Sequence, residues 1–225
     1  MTVDIARNVA EVRERTAQAC ARVGRKPEEV ILIAVSKSVD VARIEQAISA
    51  GIRHFGENYY QEARAKIPAV QAPVQWHFIG HLQKNKVRGV VPLFEWIHTV
   101  DDLELAQEIN RRAQAVGKRQ RVLIEVNIAR EPQKYGVAPE SALLLAEQIA
   151  RLPNVRLEGF MGMAPIVERA EEARPYFAEL RRLFDQLPAD HRGHLSMGMT
   201  QDFEVAIEEG ATMVRIGTAI FGPRL

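Results

Sequence analysis

Val30-Ile31-Leu32-Ile33-Ala34-Val35-Ser36-Lys37 is a run of β-branched and apolar residues that stops on a lysine and gives way to an amphipathic segment. An apolar run of this length predicts a strand buried on both faces, as in a parallel sheet covered by helices. At the period of two of a strand, Ile31, Ile33, Val35 and Lys37 share one face, with the charge at its carboxyl end. Ahead of this run, Val9, Val12, Thr16, Ala19 and Val23 recur at helical spacing. They predict an amphipathic helix over 4–23, ended near Gly24.

The alternation of short apolar runs with amphipathic stretches then repeats. A helix over 41–50 is stopped by Gly51, a second strand covers 54–58, and a helix over 60–67 is closed by Pro68. A third strand is expected over 74–80 with a short helix near 85–91, and a fourth over 96–101 with a helix over 103–116. The second half continues with strands over 121–127, 155–162, 194–199 and 212–217. Helices are expected between them over 139–151, 170–187 and 201–209. Eight strand–helix units without a break in composition predict an α/β (β/α)8 barrel of the TIM type, carrying an extra N-terminal helix. No linker or low-complexity tract interrupts it, so the expectation is a single domain over 1–225. An open doubly wound sheet is the competing architecture. The absence of a G-x-G-x-x-G motif after the first strand weighs against it.

Composition narrows the function classes. With 30 basic and 29 acidic residues the net charge is +1, so no global field points toward nucleic acid or an anionic membrane. One cysteine, Cys20, excludes an internal disulfide and a cysteine metal cluster. The N-terminal stretch is charged throughout and lacks the apolar core of a secretory signal. No run approaches the roughly 20 apolar residues of a membrane span. A cytoplasmic protein is expected.

In barrels of this kind, chemistry collects at the carboxyl ends of the strands, and phosphate commonly binds after strands seven and eight. Those ends carry Lys37, Asn58, Gly80-His81, Asp101, Asn127, Met161-Gly162, Ser196 to Thr200 and Arg215 to Thr218. No nucleophile–His–Asp triad or carboxylate pair emerges. Lys37 stands out, because desolvation at the inner end of an apolar strand disfavours the charged amine, and a neutral amine attacks aldehydes. The plain alternatives are a lysine that snorkels to the rim or pairs with a phosphate. Ser196 and Thr218 offer hydroxyls, and Gly217 permits close approach, although glycine-rich strand ends also simply turn. Arg215 shares a strand face with Gly217, and an inward arginine calls for a partner such as Glu57 or Glu125. His77 and His81 do not make a ligand pair, since four residues of extended chain separate them by roughly 13 Å. Lys84, Lys86 and Arg88 read as a solvated face, and Tyr59-Tyr60 as packing or rim residues.

An ordered set of segments resembles the YggS/PROSC family of pyridoxal 5′-phosphate homeostasis proteins. It comprises AVSKSVD around Lys37, FGENYYQEARAKI, WHFIGHLQKNK, HTVDD, VLIEVNIAREPQKYGV, EGFMGMAPI and LSMGMTQDFEVAIEEGATMVRIGTAIFG. The similarity runs over 30–222, nearly the whole chain. The resemblance implies a barrel related to the N-terminal domain of alanine racemase, holding the cofactor without established turnover. Carried over by position, it makes Lys37 the Schiff-base lysine. Ser196, Gly217 and Thr218 would hold the phosphate, Arg215 would face the pyridine nitrogen, and Asn58 and His77 would flank the ring. Thr200 stands where the family more often has serine, which keeps the hydroxyl.

The expected role is therefore a monomeric carrier of pyridoxal 5′-phosphate that buffers its supply to apo-enzymes, with no nucleic acid or membrane partner. An arginine opposite the pyridine nitrogen only donates, which mutes carbanion chemistry. A racemase of this barrel family would also need a second base from a further domain, and the chain ending at Leu225 suggests none. Lys134, in the loop after strand five, is a candidate for assisting release, or an ordinary solvated lysine. Two other classes stay open: a weak racemase or lyase on the same lysine, and a barrel that binds another phosphate without covalent chemistry.

Overall fold

Eight parallel strands close into a barrel in chain order: β1 (Ile31–Val35), β2 (His54–Glu57), β3 (Gln75–Phe78), β4 (Trp96–Val100), β5 (Gln120–Val126), β6 (Val155–Gly162), β7 (His194–Ser196) and β8 (Met213–Ile216). β8 returns to pair with β1 in register Ile31 to Met213 through Ala34 to Ile216. This computed structural model describes residues 3–223, so the extreme ends of the domain expected over 1–225 lie outside the described residues. The outer layer is α1 (Ile5–Arg22), α2 (Val41–Ser49), α3 (Tyr60–Lys66), α4 (Val87–Leu93), α5 (Leu103–Ala115), α6 (Pro139–Ala150), α7 (Arg174–Asp185), α8 (Phe203–Glu208) and α9 (Thr218–Phe221). The expected α/β barrel with an added N-terminal helix is the fold observed. Among the described residues, no helix is long and apolar enough to cross a membrane.

α1 begins where the Asp4 side chain accepts from the Arg7 amide at 3.0 Å, filling one of the donors that a helix start leaves unpaired. Its stripe of Ile5, Val9, Val12, Ala19 and Cys20 is buried against α2, α8 and α9. Arg13 on its polar side donates to the carbonyls of Ala50 and Gly51, tying α1 to the end of α2.

The two faces of β1 part as the period of two requires. Ala34 joins the core between strands and helices, with Leu32 packed against it. Ile33 belongs to a second cluster inside the barrel with Trp96, Leu123, Met161 and Met213. Lys37, two steps beyond Val35, therefore continues the inward face at the carboxyl rim.

One irregularity shapes the sheet. β5 and β6 pair Val122 with Leu157 but Ile124 with Phe160, so β6 holds one residue more than its partner over this stretch. Gly159 sits in that bulge at φ +137, and a Cβ there would lie 2.0 Å from the His194 carbonyl oxygen.

The last two units depart from expectation. β7 ends at Ser196; Met197 and Gly198 still bond to Met213 and Arg215 of β8, and the chain turns away at Gly198, φ +91. Asp202 turns its carboxylate back to accept from the Met199 amide at 2.6 Å. α9 spans four residues, too few to show a helical period in the sequence.

Candidate functional site

The carboxyl rim opens into a cavity of about 250 Å³ between the ends of β1, β6, β7 and β8. Lys37, Thr200, Asp202, Arg215, Gly217 and Thr218 line its polar side, and Val35, Pro165, Ile166 and Met199 contribute the apolar wall. The Thr218 hydroxyl lies 3.2 Å from that of Thr200, so two hydroxyls from successive strand ends converge. Gly217 beside them has only Val35 atoms beyond 3.5 Å of where a Cβ would stand, which leaves the backbone approachable. A primary amine, paired hydroxyls and a guanidinium in one cavity suit an anionic ligand carrying an electrophilic carbonyl.

Arg215 is held from beneath. It is 5% exposed, and it donates to the Ser196 hydroxyl at 2.6 Å and to the Gly162 carbonyl at 3.2 Å. Ser196 is fully buried below it and also meets His98 Nδ1 at 3.1 Å. From there a line of imidazoles descends: His98 Nε2 to His77 Nδ1 at 2.9 Å, and His77 Nε2 to His54 Nδ1 at 2.9 Å. Barrel interiors are ordinarily filled by branched apolar side chains, so a polar chain through this one is a departure. Burial pulls Arg215 down to about 10, with Asp202 and Glu125 opposing the shift, and it stays cationic at neutral pH. Burial also holds His98 and His77 well below the usual imidazole range, helped by the charge of Arg215 on His98. His54 is lowered by burial as well.

Carboxylates near the rim move the other way. Burial raises Glu125 to about 7; the neighbouring Asp101 adds to the rise and Arg215 works against it. Asp202 is raised by burial, against its bond from the Met199 amide.

The structure brings Lys37, Arg215, Gly217 and Thr218 to one cavity and places the other expected residues around it. Ser196 lies beneath the lining with its hydroxyl spent on Arg215 and His98, because β7 stops there and the chain climbs on to Thr200. Thr200, at the end of the Ser196 to Thr200 stretch expected at this rim, is thus the hydroxyl that meets Thr218. His77 is buried in mid-barrel, and Asn58 lies against Gly80, where a Cβ would collide with the Asn58 backbone. Its Oδ1 is buried without a hydrogen-bond partner among the described residues. Glu57, one of two partners expected for Arg215, instead binds Lys66 and Ser36. His81 stacks on Tyr135 with ring centres 3.6 Å apart, far in role from His77. Lys134 pairs with Glu131 at 2.7 Å outside the cavity lining. Lys84 pairs with Glu104 on the surface, and Tyr59 is exposed at the rim.

Comparison with known proteins adds a second line. The family model of the alanine racemase N-terminal domain matches residues 4–224. A pyridoxal phosphate homeostasis protein of Pseudomonas aeruginosa is 45% identical over 222 residues, covering 98% of this chain and 96% of that protein. One of Aquifex aeolicus is 44% identical over 220 residues, covering 96% of each. The solved structure of PipY from Synechococcus elongatus with PLP bound superposes with a TM-score of 0.84 at 36% identity, covering 97% of this chain and 100% of that one. An alanine racemase of Clostridium difficile, at 13% identity and a TM-score of 0.73, shares the fold over 96% of this chain and 57% of its own.

Proposed function

The chain belongs to the alanine racemase N-terminal domain family, and from that premise we propose that it binds pyridoxal 5′-phosphate at the rim cavity and serves its homeostasis. The observation that carries the reading is the convergence of Lys37, the Thr200–Thr218 hydroxyl pair and Arg215 on one cavity.

The residues present fit the cofactor. Thr200, Thr218 and the open backbone at Gly217 offer donors and room for a phosphate. Arg215, already committed to Ser196 and Gly162 on its far side, retains N–H groups for a pyridine nitrogen. Asn58, which the family resemblance sets beside the ring, lies outside the cavity lining, with its Oδ1 buried and unpartnered among the described residues. When bound, the cofactor supplies an aldehyde that condenses reversibly with a primary amine and releases water. Lys37 is the amine that this cavity presents, and we assign it that Schiff-base role.

Holding without turnover is supported by Arg215. A guanidinium only donates, so a ring nitrogen held against it would stay unprotonated and would withdraw electrons weakly. The two relatives at 44–45% identity are named for homeostasis rather than for a reaction. The full reading is a monomeric cytoplasmic carrier that hands its cofactor to apo-enzymes.

The test is an absorbance spectrum of purified protein followed by borohydride reduction. Trapping at one equivalent that disappears in Lys37→Ala supports the assignment, whereas an equally yellow, equally trapped Lys37→Ala refutes it. Washout of substrate α-deuterium that requires Lys37 would replace the carrier by a weak racemase or lyase. Sedimentation at working concentration checks the monomer.

A further inference from the structure

Next to the cavity lies a buried ion cluster that the proposed function leaves unused. Lys66 on α3 is 7% exposed and donates to Glu57 Oε1 at 2.8 Å, Glu62 Oε1 at 2.6 Å and the Ser36 carbonyl at 2.7 Å. Glu57, on β2, is fully buried and also accepts from the Ser36 hydroxyl at 2.6 Å. Glu62, one turn before Lys66, accepts from the Ser38 backbone N–H at 2.6 Å. Every one of these bonds that leaves the cluster ends on Ser36 or Ser38, the two neighbours of Lys37.

Two physical points argue that geometry, rather than stability, is what the cluster supplies. Replacing buried charges by packed apolar groups is often neutral or stabilising, so such a cluster is a weak source of folding energy. Ser38 sits at φ +60, a left-handed conformation that a residue with a Cβ keeps only when its surroundings hold it there. Glu62 holds it by its amide. The strand end is thereby gripped before and after Lys37: Ser36 through its hydroxyl and carbonyl, Ser38 through its N–H.

We propose that Lys66, with Glu57 and Glu62, is a positioning residue for Lys37, clamping the flanking peptides so that the Lys37 side chain leaves the strand in one direction, into the cavity. This rests on the reading that Lys37 carries the aldehyde.

Three variants separate the possibilities. Glu62→Ala removes the acceptor for the Ser38 N–H at a partly exposed site. Glu62→Gln keeps an acceptor oxygen there, and Lys66→Met removes the hub. Where Lys66→Met does not accumulate because Glu57 is left buried without its cation, Glu62→Ala carries the test. Two quantities are read: amide hydrogen exchange at Ser38 in protein without added ligand, and affinity for pyridoxal 5′-phosphate in Lys37 and Lys37→Ala backgrounds. The clamp predicts that Glu62→Ala and Lys66→Met speed Ser38 exchange and weaken affinity about tenfold, a coupling usual for contacting residues. It predicts no further loss in the Lys37→Ala background, and near-normal values for Glu62→Gln. Unchanged Ser38 exchange, or equal losses of affinity in both backgrounds, overturns the clamp. Failure of the wild type to be trapped by borohydride instead overturns the cofactor assignment, and Ser38 exchange still decides whether the cluster grips the strand end.

Discussion

The Arg215 guanidinium donates to the Ser196 hydroxyl at 2.6 Å, and this bond sets the direction of a hydrogen-bond chain that runs down the barrel. Arginine has no acceptor, so Ser196 accepts from it. Among the described residues His98 Nδ1 is the remaining partner of the Ser196 hydroxyl, which directs the Ser196 proton there. His98 therefore carries its proton on Nε2 and gives it to His77 Nδ1, and His77 repeats the pattern toward His54. Nitrogen-15 spectra should show His98, His77 and His54 neutral and protonated on Nε2 at pH 7.5. Ser196→Ala should release the His98 tautomer into a mixture. An Nδ1-protonated His77 in the wild type would reverse the chain.

Glu125 couples stability to pH with a definite sign. Its folded value of about 7 lies above the unfolded value of 4.5, so the folded chain binds the extra proton between them. The stability it contributes is fully present below pH 4.5 and is lost as pH rises through 7. Glu125→Gln should therefore gain on the wild type across that window by on the order of 3 kcal/mol, with no further gain above pH 7.5. Urea unfolding at four pH values measures this, and a difference independent of pH would contradict it.

The histidines act in the opposite sense. His54, His77 and His98 are lowered by burial, and His194 is brought to about 4 by burial and the nearby Arg121. The unfolded chain takes up these protons first, so stability is full above pH 6.5 and falls as the solution is acidified. His194→Gln should flatten the acid limb between pH 6.5 and 4 in chemical denaturation. An unchanged acid limb would show that His194 titrates normally in the folded chain.

On the proposed reading, phosphate recognition falls to the hydroxyl pair. Thr218→Val should weaken pyridoxal 5′-phosphate binding about tenfold, the loss expected for one hydrogen bond to a charged group. Binding of pyridoxal, which lacks the phosphate, should stay within error. Equal losses for both ligands would move the phosphate elsewhere.

The β6 bulge has a single tolerated residue. Gly159→Ala must abandon φ +137 or drive a methyl into the His194 carbonyl, and is expected to cost more than about 3 kcal/mol. Gly117→Ala, at φ +63 with nothing within 4 Å, should cost only about 1 kcal/mol. Thermal unfolding of the two variants compares them directly.

The inward face of β1 was legible because alternation in a strand is a local property: Ile31, Ile33, Val35 and Lys37 lie two apart whatever surrounds them. The same reasoning found Arg215 and Gly217 on one face of β8. It does not give the end of β7, expected at 199 and observed at Ser196, because that end depends on Gly198 and on the Asp202 carboxylate turning back to the Met199 amide. The pairing of Glu57 with Lys66 rather than Arg215 was equally hidden, because α3 brings Lys66 over the strand end only once the barrel has closed.

Periodicity and the position of glycines and charges determined the number and order of the strands, the closure class of the sheet and the rim lysine. These follow from backbone geometry and from the need of each apolar stripe to find cover. Tertiary structure alone decided which hydroxyl meets Thr218, what braces Arg215 from below, and that three imidazoles stand in series inside the barrel. Those relationships join residues up to 98 positions apart, as in His98 and Ser196, and arise from strand stagger and closure. A single sequence records each partner but carries no distance between them.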